Sequence, residues 1–130
     1  MERAKRLAGF KALVVEDNPD AIEIMSLALR SEGAEILSAS GGDEGANLAR
    51  THKPHVILLD VMMPNGDGWT TLRSLKGDAQ TWDIPVIIVT AKGPGMKADF
   101  EMEGAVAYFT KPFEVGKVVD KVCQILCDKD

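Results

Sequence analysis

Short, almost unbroken apolar runs recur along this chain, and between them apolar residues return at the spacing of one helical face. The runs are Ala12 to Glu16, Glu35 to Ala39, Val56 to Asp60, Pro85 to Thr90 and Val106 to Thr110. Their length, their Val and Ile content and their Gly, Pro and Asp borders read as strands. Except for Glu35 to Ala39, they lack polar alternation, the pattern of strands buried on both faces. After the first run, Asn18-Pro19 supplies an N-cap and a first-turn proline. Ile22, Met25 and Leu29 then follow at helical spacing, with Gly33 as a stop. Asp43 to Arg50 predicts a short second helix, closed at Lys53-Pro54. Gly66 to Lys76 predicts a third, with Trp69, Leu72 and Leu75 on one face. Gly93, Pro94 and Gly95 disfavour a helix, so the fourth is expected only from near Met96 to before Gly104. The last carries Val115, Val118, Val119, Val122, Ile125 and Leu126 as a continuous apolar face.

Strand followed by helix, five times over, implies an α/β fold: a doubly wound five-stranded parallel sheet with helices on both faces. Right-handed crossovers leave few arrangements of it. No linker, repeat or low-complexity tract interrupts the pattern, so residues 1–130 are expected to form a single domain.

Composition narrows the function. With 45% hydrophobic and 27% charged residues, the chain has the make-up of an ordinary globular protein. A net charge of -5 argues against direct nucleic-acid binding, which needs clustered Lys and Arg. The basic start at Arg3, Lys5, Arg6 and Lys11 leads into only four consecutive apolar residues, Ala12 to Val15. A secretory core needs about 7–15. No run approaches the roughly 18–20 residues that cross a bilayer. The expectation is a cytoplasmic protein without a membrane partner. Cys123 and Cys127, four residues apart, have neither the C-x-x-C redox spacing nor a histidine pair, and are expected to be reduced.

In a sheet of this kind ligands bind beyond the carboxyl ends of the strands. Reading only those ends collects Glu16-Asp17, Asp60, Thr90 and Thr110-Lys111. Each has an ordinary structural account when taken singly. Asp60 suits a turn, Glu16-Asp17 suits a helix N-terminus, Thr90 suits a strand and Lys111 suits solvent. Their joint occurrence at one rim is what carries chemistry. Carboxylates so close raise one another's pKa unless a cation intervenes. Mg2+ takes one or two carboxylates and keeps several waters. With a lysine and a hydroxyl beside it, the set suits a phosphoryl group, and Asp60 suits a nucleophile.

From about Lys11 to Cys127 the sequence resembles the receiver domain of bacterial two-component response regulators. VVEDNP around Glu16 and Asp17, LLDVMMPNGDG around Asp60, VTAK around Thr90 and YFTKPF around Lys111 carry the likeness. The resemblance implies a flavodoxin-like strand order 2-1-3-4-5. It also implies that Asp60 is the phospho-accepting aspartate and that Asp17 and Asp60 ligate Mg2+ directly. Glu16 would then hold the metal through water and Met62 would add its backbone carbonyl. Lys111 would contact a phosphoryl oxygen, followed by a cis bond to Pro112. Thr90 and Tyr108 match the switch pair, acting on a surface made by the fourth helix, fifth strand and fifth helix. Implied partners are a sensor histidine kinase or histidine phosphotransfer protein and a downstream protein target. The chain would be a phosphorylation-controlled switch and not an enzyme, though catalysing its own phosphoryl transfer and slow dephosphorylation, and either a stand-alone regulator or an excised domain.

Two other readings compete. A haloacid-dehalogenase-type phosphatase also uses a strand-end Asp, but looks for a second Asp where Met62 stands. A degenerate receiver would act as a phosphorylation-independent protein-binding module; the intact acid set speaks against it. Two departures from the family pattern stand out: the breakable GPGMKADF segment and the apolar Val106-Ala107 at an often acidic place. Met62 and Lys92 are expected to flank the entry of hydrolytic water, and Met62 cannot orient water by hydrogen bonding. The aspartyl phosphate is therefore expected to be long-lived. Loss of label from purified protein within seconds would contradict this.

Overall fold

The computed structural model describes residues 5–61, 68–91 and 94–127. In chain order these form β1 (Lys11–Val15), α1 (Pro19–Arg30), β2 (Glu35–Ala39), α2 (Gly42–His52), β3 (Val56–Leu59) and α3 (Gly68–Lys76). There follow β4 (Val86–Thr90), a single 3-10 turn (Pro94–Met96), α4 (Lys97–Met102), β5 (Ala107–Thr110) and α5 (Val115–Cys127). All ladders are parallel, in the order β2-β1-β3-β4-β5. The alternation predicted the doubly wound parallel sheet, and the flavodoxin-like order is the one the receiver-domain resemblance implied.

Alternation along the strands sorts the core into two layers. Ala12, Val14, Val56, Leu58, Ile87 and Val89 pack with α1 and α5, including Met25, Leu29, Val118 and Val122. Leu13, Val15, Ile57, Leu59, Val86 and Ile88 pack with α2, α3 and α4, including Ala49, Leu72, Leu75 and Phe100. The three central strands are buried on both faces, which is why their sequences show no polar alternation.

Element ends follow local chemistry. Asn18 caps α1 as expected, its Oδ1 accepting from the backbone N–H groups of Asp20 and Ala21 at 2.9 and 3.4 Å. Gly33, at φ +94°, makes the turn into β2, a left-handed conformation that L side chains resist. α2 runs to His52, two residues further than its apolar pattern suggested. It closes where Lys53 turns left-handed, φ 49°, and donates its N–H to the carbonyl of Ala49. Pro54 disfavours the right-handed helical region for the residue before it, so the helix could not continue. β1 and β3 each stop one residue before their terminal carboxylate. β5 starts at Ala107, one residue later than its apolar run; Val106 is exposed, although its N–H still donates to the carbonyl of Val86. The break at Pro94–Met96 leaves α4 six residues long, close to the late, short helix expected there.

The segment before β1 has a role that periodicity did not reveal. Leu7 is fully buried in the α1/α5 layer. Its N–H donates to the carbonyl of Glu32, and Arg6 brackets the buried Glu32 carboxylate with Nε and Nη2 while reaching Asp120 of α5. Leu7→Ala is expected to destabilise the fold by about 2–5 kcal/mol, the range for a fully buried leucine. Urea unfolding checks it; a change under about 0.5 kcal/mol would show the segment to be incidental.

Candidate functional site

Three backbone hydrogen bonds carry the parallel ladder one residue past the strand ends. The N–H of Glu16 donates to Ala39, that of Asp60 to Val15 and that of Lys111 to Thr90, at 2.9, 3.0 and 2.7 Å. Each chemically important residue is thus held by the neighbouring strand at the point where its own strand gives out. Because β1, β3 and β4 are adjacent, the rim expected from the sequence is one place.

Glu16 and Asp60 are buried, whereas Asp17 is exposed at the start of α1. One carboxylate oxygen from each lies within 4.8 Å of those of the other two. Lys111 arrives from the far side of the sheet. Its Nζ donates to Oε1 of Glu16 at 3.0 Å and to Oδ2 of Asp60 at 3.3 Å. The other oxygen of Glu16 accepts the N–H of Asn18 at 3.1 Å, so one residue caps α1 and steadies the acid pair. The Lys111–Pro112 peptide bond is cis.

Electrostatics follow from this crowding. Burial pushes the Glu16 carboxyl above its usual range; the Lys111 ammonium and the Asn18 N–H oppose that rise, and Asp60 adds to it. Burial works against the charge of Lys111, yet its bonds to Glu16 and the nearby Asp60 outweigh that, and the ammonium is held more firmly protonated than a free lysine. Beneath these groups lies an apolar recess of about 30 Å³, walled by Val14, Met25, Leu58, Val89 and Phe113. Low polarity there strengthens each charge interaction. A wider depression, about 620 Å³, is at the opposite end of the strands, beside Phe10, His55 and Pro85, and holds none of the candidate residues.

Thr90 is fully buried at the end of β4. It shares the strand alternation of Val86 and Ile88, so it belongs to the α2–α4 layer. Tyr108 packs against that same layer, and partial burial raises its phenol above the ordinary value. Its ring is 5.8 Å from that of Phe100, which meets Trp69 edge-on at 4.9 Å. The sequence pattern had placed Trp69 on the apolar face of its helix but had given no reason to link it with Tyr108. Only packing of α3 against α4 does that. Met62 and Lys92, expected at the metal shell and the water entrance, lie outside the described residues. The two cysteines are free, Cys123 buried and Cys127 exposed.

An acidic trio joined by a lysine at the carboxyl rim of a 2-1-3-4-5 sheet defines a class of phosphorylation-controlled signalling module, and comparison with known proteins agrees. The model of the response regulator receiver domain matches residues 12–123. This chain belongs to that family. It is 36% identical over 117 residues to protein PilH of Pseudomonas aeruginosa, an alignment covering 89% of this chain and 97% of PilH. It is 35% identical to the DNA-binding dual master transcriptional regulator RpaA of Synechocystis, covering 89% of this chain and 48% of RpaA. This chain therefore spans nearly all of PilH but about half of that larger regulator. Among solved structures it superimposes, with a TM-score of 0.80 and 27% identity, on the receiver domain of sensor histidine kinase PA1611 from Pseudomonas aeruginosa. That match covers 91% of this chain and 97% of the other, in which a magnesium ion is coordinated in the active-site cleft.

The donor set here fits such an ion. Three oxygen-bearing acids within 4.8 Å, one exposed and two buried, suit a hard divalent cation better than they suit one another. No helix among the described residues is long and apolar enough to cross a membrane. Mg2+ is expected to raise the thermal unfolding midpoint saturably, above any effect of NaCl at equal ionic strength. At a hundred times its Kd the gain is about 2.7 kcal/mol. Asp17→Asn should shift that titration to roughly tenfold higher Mg2+, a loss of about 1.4 kcal/mol of binding. An identical titration would remove Asp17 from the metal site.

Proposed function

We propose that this receiver accepts a phosphoryl group on Asp60 from a phosphohistidine of a sensor kinase or phosphotransfer protein, and that residues 1–130 act as one such unit. The observation that carries the reading is the Lys111 ammonium lying between Glu16 and Asp60 at 3.0 and 3.3 Å. A cation placed there satisfies the acids at rest and faces the position where a phosphoryl oxygen would develop charge.

Asp60 is the nucleophile. One of its oxygens bonds to phosphorus while the bond from phosphorus to the donor's imidazole nitrogen breaks, leaving that electron pair on the nitrogen. Burial at the strand end fixes the carboxylate's direction, which serves positioning more than basicity. Lys111 pairs with an oxygen of the incoming group as its contact with Asp60 loosens. Glu16, braced by Asn18, keeps the lysine near the site during that exchange. Asp17 and Asp60, with Glu16 through water and the carbonyl of Met62, would hold Mg2+, which when bound neutralises charge on the phosphoryl oxygens. The product carries about two negative charges where the carboxylate carried one. The hydroxyl of Thr90 turns toward a phosphoryl oxygen, and Tyr108 moves into the space it leaves. The surface of α4, β5 and α5 then shifts population toward the form a downstream protein reads.

Intact mass after incubation with acetyl phosphate and Mg2+ tests this. The parent should gain one phosphoryl group and Asp60→Asn none. Lys111→Met should label at least about tenfold more slowly, corresponding to about 1.4 kcal/mol of transition-state stabilisation. Equal labelling of parent and Asp60→Asn would place the acceptor elsewhere. No labelling of the parent would favour the phosphorylation-independent binding module.

A further inference from the structure

Asp60 has a second physical connection to α4 and β5, through α3. Val61, the residue after Asp60, is buried in the α2–α4 layer. Gly68, the first residue of α3, donates its N–H to the carbonyl of Val61 at 3.3 Å. The two backbones approach so closely that a Cβ on Gly68 would overlap the Cα and side chain of Val61. The start of α3 is therefore clamped to the residue beside the acceptor, on both sides of positions 62–67. Trp69 follows at once. It meets Phe100 edge-on at 4.9 Å with a 77° interplanar angle, and Phe100 lies 5.8 Å from Tyr108. Phe100 is only 2% exposed and belongs to a helix of six residues. A helix that short gains little from its own hydrogen bonds, so its placement depends on what packs against it.

We propose that Trp69 couples occupancy of Asp60 to the α4–β5 surface, along Val61, Gly68, Trp69, Phe100 and Tyr108, by a route that bypasses Thr90. The inference rests on Asp60 being the phosphoryl acceptor. A shift of the Val61 backbone on phosphorylation carries Gly68 with it, because no slack exists between them. Trp69 rotates or translates with the first turn of α3. Its edge contact with Phe100 then moves α4, and Tyr108 repacks against Phe100. Close-packed interiors transmit such displacements instead of absorbing them. Coupling is established when a change at the intermediate residue alters the response at the far end.

The test uses backbone amide spectra of the 130-residue chain, with and without beryllofluoride and Mg2+. In the parent, displacements are expected at the rim, at Asp17, Ala91 and Lys111, and at Phe100 and Tyr108. Trp69→Leu should keep the rim displacements and at least halve those of Phe100 and Tyr108. Trp69→Phe should restore most of the loss, and Thr90→Ala combined with Trp69→Leu should lose more than either alone. A Trp82→Phe protein, in which Trp69 is the sole tryptophan, should show a saturable emission change that Asp60→Asn lacks. It also carries the test should Trp69→Leu fail to fold. Full displacements at Phe100 and Tyr108 in Trp69→Leu, or an unresponsive Trp69 beside a responding rim, would overturn the route alone. A parent whose rim does not respond at all would overturn both the acceptor reading and the route.

Discussion

The architecture depends on keeping like charges together. Two unit charges about 4 Å apart interact by about 4 kcal/mol at an effective dielectric near 20. Glu16, Asp17 and Asp60 each bring an oxygen within 4.8 Å of the others, and two of them are buried. A fold could tolerate this only if something rigid supplied the opposing charge, and Lys111 does so from a different strand. The backbone of Lys111 is anchored, because its own N–H is tied to the carbonyl of Thr90. The cluster is thus held by backbone hydrogen bonds from the sheet, not by the acids themselves, which prefer to separate.

That arrangement gives the site two properties with one cause. The acidic excess suits a cation, and the ammonium on its long side chain suits an arriving anion. Family membership says what the response is for: receiver domains are phosphorylation-controlled switches. The geometry adds a division of labour between the sheet's two faces. The recess under Glu16, Asp60 and Lys111 opens into the α1/α5 layer, while Tyr108, Phe100 and Trp69 belong to the other. Strands buried on both faces separate the two. The two layers meet the rim at the strand ends, where Thr90 and Val61 stand.

Much of this was legible in the sequence. Unbroken apolar runs gave β1, β3 and β4 to within a residue or two, because a strand covered on both faces leaves no polar position to confuse the pattern. Asn18-Pro19 marked the start of α1 because capping is a local act. Asp60 and Lys111 were recognisable because carboxyl ends of parallel strands converge whatever the details of the helices. Residues 5–10 were not legible in this way. The burial of Leu7 and the bracket of Arg6 around Glu32 join positions far apart in the chain, and no periodicity encodes a contact of that kind.

Local pattern thus determined the elements, their order and the identity of the groups at the rim, since propensity, capping and alternation act over a few residues. Tertiary structure alone decided that Lys111 reaches Glu16 as well as Asp60, and that Trp69, Phe100 and Tyr108 form one aromatic series. Those contacts span up to 95 positions. They are fixed by strand register and helix docking, which depend on the whole core packing at once.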